Sequence, residues 1–289
     1  MKTKSKVWLG VGAFIMVGTS AAGGAPLPLA DTAAEPQARG TPVADVAGTA
    51  VAPVVVAQHV DHGQQAGEGG EAKDLSSLPP DLAFAVSIAL LRGHLLIGDE
   101  LVRQQQWNAA LPHFLHPTEE IYGNIEDQLA DYKVPSFDSS LKALAGVVKA
   151  KKSADYPKAL IPVNDALAAA DAGMKTKQAN WPGFVVEAAI ETLKIAANEY
   201  QQAIVGGRIA KPVEYQDARG FIRQAERMIN SVAADLQKQD AAAFNDLHAG
   251  LAELQKAFPS PMPPRAPVKD HAAVLGLVSR IELAAGKLM

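Results

Sequence analysis

The sequence predicts an all-α protein: an up-and-down antiparallel helical bundle, or bundles, of seven to nine helices, preceded by a signal peptide and a disordered linker. Three observations carry that prediction. From Pro79 onward strand-type runs almost vanish, and Ala, Leu, Gln, Glu and Lys dominate, all good helix formers. Apolar residues there recur at spacings of three and four. The segments between periodic runs are mostly short, which makes successive helices antiparallel neighbours.

Residues 1–22 read as a signal peptide. Lys2, Lys4 and Lys6 precede an apolar run from Val7 to Val17, and small residues follow from Gly18 to Ala25. The run is roughly half the ~20 apolar residues a spanning helix needs. Ser20 and Ala22 satisfy the small-x-small rule for cleavage after Ala22. The expected location is therefore periplasmic or secreted, with an uncleaved N-terminal anchor as the alternative. Cleavage removes three Lys and no acid, which takes the formal net charge from −4 to −7. No later stretch reads as long and apolar enough to cross a bilayer.

Residues 23–79 are rich in Ala, Pro, Gly and Val without a sustained period, and read as a disordered linker. Between Gln58 and Lys73 the linker carries a His/acid tract of His59, Asp61, His62, Glu68 and Glu71. Such flexible ligands would hold a metal only loosely, because binding would cost them backbone entropy.

Residues 80–289 are the helical domain. A first helix is expected from Pro80–Asp81 to about Gln106, with Ala83, Val86, Leu90, His94, Ile97 and Leu101 as its stripe. A short segment, Trp107 to His116, follows. Pro117 suits the first turn of a new helix running to about Tyr132. Further helices are expected near 137–152 and 157–178. The second half carries longer ones at 182–205, stopped by Gly206–Gly207, and at 212–238, 240–258 and 269–288. A Pro-rich strap, Pro259–Pro267, precedes the last. A joint near Gln178–Gly183 would divide the domain into sub-bundles 80–178 and 182–289.

Several chemistries are excluded at once. The chain has no cysteine, so it has no disulfide, thiolate zinc site, cysteine-held iron–sulfur cluster or thioether-attached haem. No glycine-rich dinucleotide or phosphate loop, no G-x-S-x-G elbow and no H-E-x-x-H pair occurs. No E-x-x-H pair of the di-iron type accompanies Glu100, Glu119 or Glu120. A net acidic chain is a poor coat for nucleic acid. These features point away from an enzyme, with a hydrolase working through a metal-bound water as the remaining catalytic reading.

The densest polar chemistry lies between Gly93 and Asp127. His94, His113 and His116 fall among Asp99, Glu100, Glu119 and Glu120. His94 occupies a stripe position and should point inward. His113 and His116 are three apart and share a helical face. Neutral imidazoles beside a carboxylate suit Fe, Zn or Cu. The expected metal site is His94, His113 and His116 with Glu119 or Glu120. The structural alternative makes His116 an N-cap answered by Glu119, His94 a core residue and His113 a surface one. On a later helix Tyr215 and Arg219 share a face at i,i+4 and form a candidate ligand-binding pair, with Arg219 clamping a carboxylate. The alternative there is a solvated face.

An exported, cysteine-free, all-helical chain carrying His116-Pro117-Thr118-Glu119 resembles the imelysin-like family, periplasmic helical proteins linked to iron uptake that carry an H-x-x-E motif. The sequence departs from that pattern at Phe114, where a Gly would stand two before the His, and at Ile97, where a Glu would follow Gly93-His94. The resemblance implies transition-metal binding, iron above all, in uptake, delivery or homeostasis. It also implies an envelope or membrane-transport protein as partner. The rival reading is a metal-free envelope interaction module on an N-terminal tether.

Overall fold

Helix α1 (Pro80–Arg103) runs through the middle of the bundle and is buried on most of its circumference. The sequence stripe of Val86, Leu90, His94, Ile97 and Leu101 is buried, and so are Leu82, Phe84, Ile88 and Leu91 on other faces. A helix apolar all round must be covered all round, which makes α1 the core helix. This computed structural model describes residues 75–289. The signal peptide, nearly all of the linker and the His59–His62 tract lie outside the described residues. The expected linker is cut short at its C-terminal end, because Leu75 is buried against the core.

Contrary to the expectation that no later stretch has the length, α1 is long and apolar enough to cross a membrane by composition. Its 18-residue window has a mean hydropathy of 1.5, and 78% of that window is buried inside the bundle.

Short pieces follow α1: α2 (Trp107–Ala110), α3 (Pro112–His116), a π-helical turn (Pro117–Ile121), α4 (Tyr122–Ile125) and a 3-10 stretch (Glu126–Tyr132). Pro117 does not open a separate helix. The backbone stays helical through His116 and Pro117, and Tyr122 N–H bonds Pro117 O in the wider π register. Lys133, with φ of +58°, ends the run.

Helices α5 (Asp138–Lys149) and α6 (Tyr156–Lys177) pack as a pair. The longer helices of the second half are α7 (Trp181–Ala203), α8 (Pro212–Ser231), α10 (Ala241–Gln255) and α11 (His271–Ala285), with a short α9 (Ala233–Gln239) between α8 and α10. Among the described residues, seven helices have between 12 and 24 residues, as the periodicity predicts. Side chains at the N-caps fix three starts. Asn180 Oδ1 accepts from Gly183 N–H at 3.1 Å, Asp240 Oδ1 from Ala243 N–H at 2.9 Å, and Asp270 Oδ1 from Ala273 N–H at 2.7 Å.

Two local departures have physical reasons. Gly206–Gly207 does more than stop α7: both residues have positive φ and turn a two-residue antiparallel hairpin, Ile204–Val205 against Arg208–Ile209. The expected helix 212–238 breaks at Val232, whose φ of −119° is not helical.

Helix α8 lies against both α7 and α1, and α11 packs on α10 and α7. Because α1 sits mainly on α8 and α7 rather than on α6, the helices do not sort into sub-bundles 80–178 and 182–289. The strap between α10 and α11 is tied down by two tyrosines. Tyr200 donates to Lys269 O at 2.6 Å and Tyr215 to Ser260 O at 3.0 Å.

Candidate metal centre

Helices α1 and α8 approach closely at Gly93 and Gly220. A Cβ on Gly220 would stand 2.3 Å from Gly93 O, and one on Gly93 would stand 2.4 Å from Phe221 Cδ1. Only two glycines permit this crossing. It sets His94, next to Gly93, beside Asp217, nearly one turn before Gly220. A second close approach brings in the third element. Phe114 lies over Gly98, where a Cβ would meet its ring at 2.6 Å, and it seats the 112–116 segment on α1 between His113 and His116.

Asp217 is the centre of the resulting nest. Its Oδ1 lies 2.7 Å from His94 Nδ1 and 2.8 Å from His113 Nδ1, and its Oδ2 lies 3.8 Å from His116 Nδ1. All four residues are buried. The imidazole centroids stand 6.1, 5.2 and 6.4 Å apart. The three histidines singled out in the sequence thus converge. Burial alone would raise the Asp217 carboxyl, but His94 and His113 hold it well below the usual carboxylate range.

The acid of the nest is neither of the two expected. Glu119 is exposed. Glu120 is half-buried at the rim, with Oε1 4.0 Å from His116 Nε2. The π turn explains the difference. It spreads more residues over each turn, so the fourth residue after His116, not the third, comes back to its face. The capping alternative fails for the same reason, since His116 lies inside continuous helix and makes no cap bond.

The donor set fits a first-row transition metal. One ligand atom each from His94, His113 and Asp217 can be taken so that all lie within 4.8 Å of one another. Imidazole nitrogens with one carboxylate suit Fe, Zn or Cu. Gln216 orients the set from behind His113. Gln216 Nε2 donates to Pro261 O at 3.2 Å, which turns its Oε1 to His113 Nε2 at 3.0 Å. With Nε2–H given to Gln216, the other nitrogen of His113 faces the Asp217 carboxylate. A cation there, proton or metal, reconciles the two.

Tyr215 and Arg219 are engaged inside the fold. The Tyr215 ring is fully buried among Tyr200 and Phe258. Arg219 does clamp a carboxylate, but it is Glu100 of α1: Nη2 to Oε1 at 2.8 Å and Nε to Oε2 at 3.2 Å. Arg223 also pairs with Glu100, and Arg219 donates to Phe258 O. Half-burial raises the Glu100 carboxyl, and the two guanidinium groups more than reverse that. The pair ties α8 to α1 and to the strap.

Burial, together with the neighbouring His94 and His113, lowers the His116 pKa to about 4 despite Asp217. An unfolded His takes its proton near 6.5. Between those values the unfolded chain binds more protons, so stability is full above about pH 6.5 and falls as pH drops toward 4. The expected loss in metal-free protein is at most about 3 kcal/mol. His116→Gln should flatten the pH dependence of thermal unfolding between pH 7 and 4.5; an unchanged slope would contradict the assignment.

Residues 175–289 match the family model of the iron permease-associated four-helix bundle domain. The match takes in α7, α8, α10 and α11, and with them Gln216 and Asp217. His94, His113 and His116 precede it. The imelysin-like resemblance concerns that earlier segment and a different family. Comparisons with curated proteins and with solved structures give no match.

Proposed function

We propose that this chain is a helical-bundle component of an iron-uptake system, exported and acting beside a membrane permease, and that it takes a transition metal, iron above all, as cargo at the His94/His113/His116/Asp217 nest. The observation that carries the reading is the convergence of three imidazoles on one buried carboxylate. The iron permease-associated match supports it from the other side, because the acid and its Gln216 neighbour lie on a helix inside the matched region. The reading is that of a binding protein and not an enzyme. Each of the nest's four residues is buried, as suits a cargo site inside a bundle.

Binding must displace protons, because the ring nitrogens and Asp217 have to present lone pairs, so affinity should fall as pH falls through the His range. Glu120, at the rim, is placed to add negative charge near His116, and Glu119 is not.

The test is anaerobic calorimetric titration of Fe²⁺, with Zn²⁺ as a redox-inert second probe, into the chain lacking residues 1–22. The expected isotherm is one site per chain, lost in His113→Ala/His116→Ala and kept in Glu119→Gln. A double variant that binds as the parent does removes the site and leaves the metal-free interaction module.

A further inference from the structure

A second feature contains none of the nest's residues. A cavity of about 590 Å³ opens between α1, α6, α7 and α8. That volume is in the range of small-molecule sites. Its wall is apolar and low: Ala85, Ala89 and Ala188 are buried alanines, and Trp181 stacks on Phe184 at 6.0 Å along one edge.

The polar groups around it are few and unequal. Arg92 is already satisfied, with a two-pronged pair to Asp171 at 2.7 and 2.7 Å and a bond to Leu167 O at 2.8 Å. Arg227 and Lys175 line the cavity as well, and neither makes an ion pair with any described residue. The lining therefore carries a positive excess. Gln224 is only 4% exposed and lines the cavity, yet its amide makes no hydrogen bond to any described residue. That amide reaches the cavity and is available to bond a guest there.

We propose that this cleft binds a small amphiphilic carboxylate. The apolar body lies over the alanine wall beside Trp181, the acid group is neutralised by Arg227 and Lys175, and the Gln224 amide bonds the ligand inside the cleft. Asp171 does not oppose this, because its charge is matched by Arg92. The alanines matter because a larger side chain at any of them fills the space that the apolar body needs.

The experiment uses anilinonaphthalene sulfonate as a fluorescent probe on the full helical chain, with a chelator present so that the result is independent of the metal nest. The probe is expected to bind with enhanced emission and to be displaced by octanoate far better than by octanol. Arg227→Gln, at an exposed position, should weaken the probe by about tenfold, as for the loss of one charge-assisted contact. Ala188→Trp should abolish binding. Undiminished probe binding by both variants, or equal displacement by octanol and octanoate, overturns the proposal. Should Ala188→Trp fail to fold, Arg227→Gln and the octanol comparison still decide.

Discussion

Asp217→Asn is expected to destabilise the fold by about 3–5 kcal/mol and to abolish metal binding at the nest. The carboxylate is 3% exposed and faces His94 and His113 at hydrogen-bonding distance. Asparagine keeps the shape and removes the charge. His113 is then left between two neutral amides, Gln216 on one side and the new residue on the other, with its electrostatic partner gone. Removing one member of a buried pair strands the other in a place water cannot reach. For a domain of this size a loss of 3 kcal/mol lowers Tm by roughly 10 °C. Differential scanning calorimetry in chelator measures that loss, and Fe²⁺ titration measures the second effect. A variant that melts within a degree or two of the parent and still binds iron would falsify the central role given to Asp217. Glu120→Gln is the matched comparison, because that acid lies at the rim 4.0 Å from its imidazole and should change stability little.

Asp217 shows what a single sequence makes legible and what it does not. The helices were readable because burial repeats at three and four, and three of their starts carry an Asn or Asp cap. The histidines were readable because His94 breaks an apolar stripe. Asp217 broke a stripe too: it stands four before Phe221 and eight before Ala225, both fully buried. An acid at such a position must find a cation or donors inside the core. Its partners, however, are more than a hundred residues away, and only the helix crossing brings them together. Ordinary α spacing leaves Glu119 and Glu120 equally placed beside His116, and the π turn at Pro117 brings only Glu120 toward it. The helix break at Val232 and the Gly-Gly hairpin follow from backbone angles that no periodicity encodes.

Gly220→Ala is expected to be the second most damaging substitution, and its sign is the informative part. In a helix interior alanine is better than glycine by up to about 1 kcal/mol, because glycine loses more backbone freedom on folding. Were α1 and α8 free to adjust, the change would therefore stabilise. The crossing forbids it. The new methyl would stand 2.3 Å from Gly93 O, 3.0 Å from Gly93 C and 3.1 Å from Ile97 Cγ2. Backbone atoms of a core helix cannot swing aside as a side-chain tip can, so the helices must separate. Overpacking of this kind costs about 1–3 kcal/mol, which outweighs the propensity gain. Separation also draws His94 away from Asp217, since both flank the crossing, so iron affinity should fall with stability. Gly146→Ala is the control. That glycine is exposed in α5, a Cβ there meets nothing within 4 Å, and alanine should raise stability by about 0.5–1 kcal/mol. Urea unfolding of the two variants should give shifts of opposite sign. If Gly220→Ala proves as stabilising as Gly146→Ala, the two helices do not cross as closely as the nest requires, and the convergence of its imidazoles on one carboxylate loses its mechanical basis.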